Sequence, residues 1–184
     1  MEGPAAEVKE TSIKLDLPAV PEFKVPKSNP DGSHPVKEML LKANKFIDTE
    51  VQVKGHVVWI YDCATALRTS DMSDKDVNKL LAEHPEKCTR PHFILGDLAD
   101  TPPDRGLWVV EYPRPLRKDE LKSFTDEMVT EEKTKLAGLP KFAIGDVVTV
   151  GGKWMTRSPK GFSNTRGLLV YGSMTNQSLE VETP

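Results

Sequence analysis

Apolar residues recur at every second place between positions 51 and 61, and this feature constrains the fold of the chain more than any other. Such alternation is typical of a long β-strand with one face toward a core. Gly55 interrupts the run at a position where a strongly bent strand needs a residue without a side chain. The pattern therefore predicts a mainly β domain, with these apolar side chains on one face of its first strand: Val51, Val53, Val57, Trp59 and Tyr61.

Two helices and an insertion accompany the other predicted strands. Apolar residues at i, i+3, i+4 and i+7 predict an N-terminal helix over residues 36–47, with Pro35 in its first turn. Residues 62–91 form an insertion with a short helix, because Ser73 and Asp76 have the spacing of a capping box. Residues 119–137 form a charged helix with a buried stripe of Leu121, Phe124, Met128 and Leu136. The remaining predicted strands are a hairpin of residues 92–97 and 107–112, and residues 145–154 and 166–172.

The prolines are unevenly distributed along the chain. Six of the 15 lie within residues 1–35, which show little sustained periodicity. Proline-rich segments of this kind are extended and do not build a core. Residues 1–35 are therefore predicted to be an extended arm or linker, residues 36–174 the domain, and residues 175–184 a polar tail.

The order of the predicted elements resembles that of OB-type bacterial domains over residues 50–174. The resemblance rests on Gly55 in the first strand and on a Gly-Asp-x-Val-x-Val-x-Gly sequence that begins at Gly145. At the level of fold it implies a five-stranded OB-like barrel with a helix between strands 3 and 4. The inserted helix would then lie between strands 1 and 2, after the N-terminal helix. Another small, partly open β-barrel or an α+β sandwich is the alternative.

Cys63 and Cys88 are the two cysteines of the chain, and they flank the insertion. Two thiols exclude a four-cysteine zinc site. A disulfide between them would close a loop of about 25 residues and stabilise the fold by roughly 3–3.5 kcal/mol, and two unrelated reduced cysteines are the alternative. Pairing would imply an extracytoplasmic location and a signal sequence that has been removed. No targeting signal is present in the chain as given, so the location stays open.

Positive charge is concentrated in the predicted last hairpin, although the whole chain has a formal charge of −3 and a pI of about 5.9. Residues 141–172 hold five cations and one carboxylate, so this segment is +4 and the rest of the chain −7. Cations beside an aromatic ring suit an anionic or planar ligand. Trp154 is expected to fill the barrel. The candidate ligand-binding residues here are Lys153, Arg157, Lys160, Phe162 and Arg166.

A second candidate surface depends on the register of the third strand. If Leu107 and Val109 face the interior, then Trp108 and Tyr112 face outward and form a ligand platform with His92. If Trp108 faces the interior, no platform exists. A shift of one residue reverses the assignment, and the sequence leaves both registers open.

The sequence shows no motif of enzyme chemistry. His56, His84 and His92 lack the i, i+4 spacing of a helical metal site, and none adjoins a carboxylate motif. Phosphate loops, nucleophile elbows and dinucleotide fingerprints are missing, and no apolar run reaches the roughly 18 residues of a membrane span. The sequence therefore predicts neither an enzyme nor a cofactor or metal site.

These observations predict a non-enzymatic binding module that contacts an anionic ligand or a protein partner through its basic last hairpin. A protein partner is favoured over single-stranded nucleic acid or another anionic polymer, because the chain is acidic overall. The alternative is a structural or assembly protein, either a trimmed secreted protein or a lipoprotein, in which the arm and the inserted helix contact other subunits.

Overall fold

The computed structural model describes residues 26–113 and 125–180. Within these residues the fold is mainly β, with six strands in one mixed sheet and short helices beside it. The strands are β1 (His34–Pro35), β2 (Glu50–Ile60), β3 (His92–Gly96), β4 (Leu107–Val110), β5 (Val147–Arg157) and β6 (Ser163–Asn176). The helices are α1 (Val36–Leu41), α2 (Ala43–Phe46), α3 (Cys63–Leu67), α4 (Asp74–Glu83), α5 (Asp126–Ala137) and α6 (Gln177–Glu180), with single 3₁₀ turns at Pro85–Lys87 and Pro103–Arg105.

The sheet has the strand order β1-β2-β3-β4-β6-β5, and β2 also pairs with β5. Strand β2 is antiparallel to β3 and to β5, and the β3–β4 and β5–β6 pairs are antiparallel as well. The β1–β2 and β4–β6 pairs are parallel. The mainly β prediction is therefore confirmed, but the sheet has six strands rather than five.

The sixth strand comes from the end of the predicted arm. His34 and Pro35 pair with Val53 and Lys54 of β2. Two residues are too few to leave a periodic signal in a sequence, which is why this strand was not predicted. Ser33 is fully buried, so the chain joins the domain before residue 36. The predicted arm residues 1–25 lie outside the described residues.

The predicted N-terminal helix is broken into α1 and α2 at Lys42, where φ is −109° and ψ is 24°. Glu38 of α1 is only 3% exposed, and its carboxylate accepts a hydrogen bond from the Lys42 ammonium at 2.8 Å. Val36 of the same helix lies so close to Gly55 of β2 that a Cβ at Gly55 would be 2.9 Å from its Cγ2 atom. Gly55 therefore allows α1 to rest directly on the first long strand.

The core lies between the sheet and α1. It contains residues of all five strands from β2 to β6, at the period of two that strands impose in β3, β4 and β5. Its buried apolar members are Val36, Met39, Val51, Val53, Val57, Phe93, Leu95, Leu107, Val109, Val148, Val150, Trp154, Leu169 and Met174. Trp154 is fully buried, as the sequence predicts, and its indole N–H donates to the Ala43 carbonyl at 3.1 Å.

The insertion between β2 and β3 has the predicted capping box. The Ser73 hydroxyl accepts from the Asp76 backbone N–H at 3.3 Å, and the Asp76 carboxylate accepts from the Ser73 N–H at 3.2 Å. A disulfide joins Cys63 to Cys88, with their Cα atoms 5.4 Å apart. The structure thus selects the paired alternative, which is compatible with an extracytoplasmic location.

The charged helix α5 begins after Thr125, whose hydroxyl accepts from the Met128 N–H at 3.4 Å. Residues 119–124 of the predicted helix lie outside the described part of the chain. Met128 is 45% exposed, so its predicted place in a buried stripe is wrong. At the other end of the domain, β6 continues to Asn176, which is 3% exposed.

Candidate functional site

Strands β3 and β4 sort their side chains into an inner and an outer set. Phe93, Leu95, Leu107 and Val109 belong to the core, and Trp108 lies on the opposite face. This arrangement is the register in which Leu107 and Val109 are inside and Trp108 is available on the outer face of the sheet. His92 precedes Phe93, and Ile94 lies between Phe93 and Leu95. Both residues therefore share that outer face with Trp108.

A β-bulge in β2 moves two further rings to the outer face. Val57 pairs with Leu95, but Trp59 pairs with Ile94, so one residue of β2 is left without a partner between them. A bulge of this kind shifts every following side chain to the other face. Ile60 consequently packs against the core, and Trp59 and Tyr61 point outward with His92. The prediction that Trp59 and Tyr61 share a face with Val51 is therefore wrong.

Tyr112 is directed to the inner side by an irregular backbone at its neighbour. Glu111 has a φ of 63°, in the left-handed region that non-glycine residues rarely adopt, and it follows the last residue of β4. Tyr112 contacts Phe93 and Phe142, with ring centroids 5.2 and 5.7 Å away. The predicted platform of Trp108 and Tyr112 is therefore wrong, because the strand alternation ends before Tyr112.

Five rings meet on the outer face of β2, β3 and β4, and His92 lies at their centre. The Tyr61 ring stacks on His92 at 4.8 Å with an interplanar angle of 18°, and Trp108 stacks on it at 5.4 Å and 27°. Trp59 and Phe162 contact His92 at 5.4 and 5.2 Å in tilted and edge-on arrangements. We call this set the ring cluster: Trp59, Tyr61, His92, Trp108 and Phe162.

His92 is only 7% exposed, and burial favours its neutral form. Burial lowers the pKa of His92 below the usual range for histidine, and a hydrogen bond to the Arg90 carbonyl offsets part of that effect. The bond joins Nδ1 to the carbonyl oxygen at 2.8 Å. Because a carbonyl oxygen only accepts, Nδ1 carries the proton and Nε2 is the acceptor nitrogen.

The β5–β6 hairpin brings Phe162 to the ring cluster. The Phe162 N–H donates to the Ser158 hydroxyl at 3.1 Å, and the Ser158 N–H donates to the Phe162 carbonyl at 2.8 Å. Gly161, with a φ of +100°, supplies the left-handed turn between them. This closed tip directs the Phe162 ring onto His92 and leaves the Lys160 side chain exposed.

The tip of the hairpin is also attached to the ends of β3 and β4. The Lys160 N–H donates to the Glu111 carboxylate at 2.8 Å, and the Arg90 guanidinium donates to the Lys160 carbonyl. Both backbone polar groups of Lys160 are therefore held by side chains that flank strands β3 and β4. These bonds fix the position of Phe162 relative to Trp108 and His92.

The predicted cations do not form one patch. Arg157 and Lys160 are exposed at the hairpin tip, and no carboxylate in residues 26–113 or 125–180 lies within ion-pair distance of either charged group. The Arg166 guanidinium donates to the Asp104 carbonyl at 2.9 Å. Lys153 forms an ion pair with Asp48 at 3.5 Å, four residues before Arg157 along β5.

Sequence reasoning missed two rings of the cluster, Trp59 and Tyr61, and both side chains that hold the hairpin tip, Arg90 and Glu111. The two rings were assigned to the wrong face because a bulge leaves no mark in an alternating pattern. Arg90 lies in the insertion, and its contact with Lys160 joins residues 70 apart in the chain. The clustering of aromatic residues at both ends of the insertion, Trp59 and Tyr61 before it and His92 after it, was the available signal.

The arrangement of the site suits noncovalent contact. Partly exposed rings offer apolar and stacking surface, and Arg157 and Lys160, exposed on the hairpin that carries Phe162, attract negative charge. In the part of the chain that the structure describes, no three His, Cys, Asp or Glu side chains are grouped to hold a metal ion. Over the same residues, no helix is long and apolar enough to cross a membrane.

Comparisons with known proteins give little similarity. No protein-family model matches the chain, and no curated protein matches it. Among solved structures it is similar to the OBody AM3L09 bound to hen egg-white lysozyme, with 12% sequence identity and a TM-score of 0.34. The match covers 72% of this chain and 85% of that one. A likeness this weak carries no information about family or function.

Proposed function

We propose that this protein is a non-enzymatic binding module whose ring cluster and hairpin cations contact an acidic segment of a protein partner. The observation that carries the proposal is the placement of Phe162 and Lys160 on one closed hairpin tip. The Phe162 ring joins the cluster around His92, and Arg157 and Lys160 are exposed on the same hairpin, with no carboxylate of the described residues within ion-pair distance.

Rings and cations in one place suit a polypeptide that carries both apolar and acidic side chains. Aromatic residues and arginine are enriched at protein interfaces, where they contribute most of the binding energy. An acidic segment gains from the local positive charge, whereas a long polyanion also meets the remainder of the chain, which is −7. This difference supports a protein partner over nonspecific binding of nucleic acid.

Further support comes from the architecture, which we interpret as an OB-type barrel with β1 added to it. The pairings of β2 with β3, β3 with β4, β4 with β6, β6 with β5 and β5 with β2 lead back to the starting strand. Helix α5 lies between β4 and β5 in the chain, as the resemblance implies. In this interpretation the ring cluster covers the outer face that OB-type domains use for ligands.

The location that we propose is extracytoplasmic. The Cys63–Cys88 disulfide supports it, since such bonds persist in oxidising compartments. Alkylation of thiols in cells before lysis, followed by mass spectrometry, tests this part of the proposal. Two alkylated cysteines would contradict it.

Binding is tested with a fluorescent random copolymer of glutamate and tyrosine, titrated at low and moderate salt. We expect saturable binding that weakens as salt rises, because the cations are exposed. Trp108→Ala weakens it by about tenfold or more through loss of ring contact. The pair Arg157→Ala/Lys160→Ala weakens it by about tenfold at low salt and by less at moderate salt.

The matched control is Lys37→Ala/Lys133→Ala, which removes two exposed cations outside the hairpin and changes the net charge equally. It leaves the affinity within about twofold of wild type. Equal losses of affinity in the two double variants would mean that binding depends only on the net charge of the protein, and would overturn the proposed site. Tighter binding of an oligothymidylate than of the copolymer would assign the surface to single-stranded nucleic acid. A stable oligomer in light scattering that binds neither probe would favour the assembly role.

A further inference from the structure

The disulfide and the ring cluster are built from the same two stretches of chain. Tyr61, a member of the cluster, is two residues before Cys63. The Thr89 N–H, which directly follows Cys88, donates to the Tyr61 hydroxyl at 2.9 Å. The Tyr61 N–H in turn donates to the His92 carbonyl at 3.0 Å. The two ends of the insertion thus meet at the disulfide and again at the Tyr61 ring.

The contacts continue from the disulfide to the hairpin tip. Arg90 is two residues after Cys88, and its carbonyl accepts the Nδ1 proton of His92 at 2.8 Å. The guanidinium of the same residue donates to the Lys160 carbonyl. One short segment next to Cys88 therefore contacts Tyr61, His92 and the hairpin that carries Phe162.

We propose that Cys63 and Cys88 are positioning residues for the binding surface, and that the ring cluster is assembled only while their disulfide is intact. This inference rests on the proposed function for its consequence in binding, but its structural part is independent of any ligand. The disulfide holds residues 88–90 against Tyr61, and through Arg90 it holds the hairpin tip over His92.

The physical reason is the entropy of the insertion. Without the bond, the β2–β3 ladder still brings Ile60 and Phe93 together, but residues 88–90 are tied to Tyr61 and to the hairpin by single hydrogen bonds, each of which contributes little by itself. In part of the population, the hydrogen bond from the Thr89 N–H to the Tyr61 hydroxyl and the bond from Arg90 to the hairpin are then broken. Any ligand that needs all the rings in place must first restore that order, which weakens its binding.

The three tryptophans allow the structural part to be tested by NMR without a ligand. Trp59 and Trp108 lie in the ring cluster, whereas Trp154 lies in the core with its indole N–H on Ala43. A water-soluble phosphine reduces the disulfide to two thiols, and the phosphine is oxidised with the oxygen of one water molecule. We expect the indole N–H signals of Trp59 and Trp108 to shift or broaden, and that of Trp154 to stay.

The consequence for binding is tested on the same samples with the glutamate–tyrosine copolymer. Reduced wild type and Cys63→Ser/Cys88→Ser, both shown by far-UV circular dichroism to be folded, bind about tenfold more weakly than the oxidised protein. Reoxidation of wild type restores the affinity, and reoxidation of the double variant does not. Tyr61→Phe, which keeps the ring and removes the acceptor of the Thr89 N–H, gives a smaller loss in the oxidised state.

The outcomes separate this inference from the proposed function. If the cluster signals change on reduction but the copolymer fails to bind the oxidised protein, the positioning role stands and the proposed function fails. If oxidised and reduced protein bind the copolymer equally, the proposed function stands and the positioning role is overturned. Equal changes in all three tryptophan signals would also overturn it, because they would show a general loosening of the fold.

Discussion

Removal of the Cys63–Cys88 disulfide tests how much this small domain depends on a covalent bond. The two cysteines are separated by 25 positions, and their Cα atoms are 5.4 Å apart. In the chain-entropy model, opening a loop of this length at 25 °C costs roughly 3.5 kcal/mol of the free energy of unfolding. A domain of this size has a free energy of unfolding of about 5–15 kcal/mol. The protein without the disulfide is therefore expected to remain folded in water, with a small remaining free energy of unfolding.

The assay is equilibrium unfolding in urea, followed by tryptophan fluorescence. With a denaturant slope of about 2 kcal/mol per molar urea, the midpoint of Cys63→Ser/Cys88→Ser is lowered by roughly 1.5–2 M. Each single substitution removes the whole disulfide. Cys63→Ser and Cys88→Ser are therefore each expected to cost nearly as much as the double variant.

Two results would refute this reasoning. A loss below about 1 kcal/mol in the double variant would show that loop entropy in the unfolded chain does not account for the effect of this disulfide. Additive losses in the two single variants would show that each cysteine acts by its own contacts rather than through the shared bond. The control is Ser73→Ala, inside the same loop, which loses the helix cap and costs about 1 kcal/mol with the disulfide intact.

Two further predictions concern His92 and the glycines of β5. Because burial lowers the pKa of folded His92 below the ordinary value of about 6.5, the unfolded chain takes up this proton first as pH falls. Urea midpoints measured from pH 8 to 5 should therefore fall more steeply for wild type than for His92→Gln, and parallel curves would contradict this. Gly152→Ala should cost about 2 kcal/mol or more in the same assay, since its Cβ overlaps the Val170 carbonyl. Gly151→Ala should cost less, because its Cβ meets the hydroxyl of Ser173, which can rotate, and equal costs would contradict the close approach of β5 and β6.

Much of the fold was predictable because its signals are local. The alternation of Val51, Val53 and Val57 identified β2, and the spacing of Ser73 and Asp76 identified the start of α4. The break at Lys42 was not predictable, since the apolar spacing of residues 36–47 continues across it. The contact of α1 with Gly55 is likewise a tertiary feature, which joins residues 19 apart in the chain.

The candidate site was only half predictable because it depends on two irregularities. The bulge after Val57 turns Trp59 and Tyr61 outward, and the left-handed backbone of Glu111 turns Tyr112 inward. Neither feature has a glycine or proline to mark it in the sequence. The cations were predicted from charge alone, and tertiary contacts then separated Lys153 from the rest.

The central claim, that the ring cluster and the hairpin tip form one binding surface, is tested most directly by NMR of isotope-labelled protein titrated with the glutamate–tyrosine copolymer. We predict that the indole signals of Trp59 and Trp108 and the backbone signals of residues 157–162 move together, along one saturation curve. The indole signal of Trp154, in the core, remains in place. Changes confined to other parts of the sheet, or signals of the hairpin and the cluster that follow different curves, would contradict the claim.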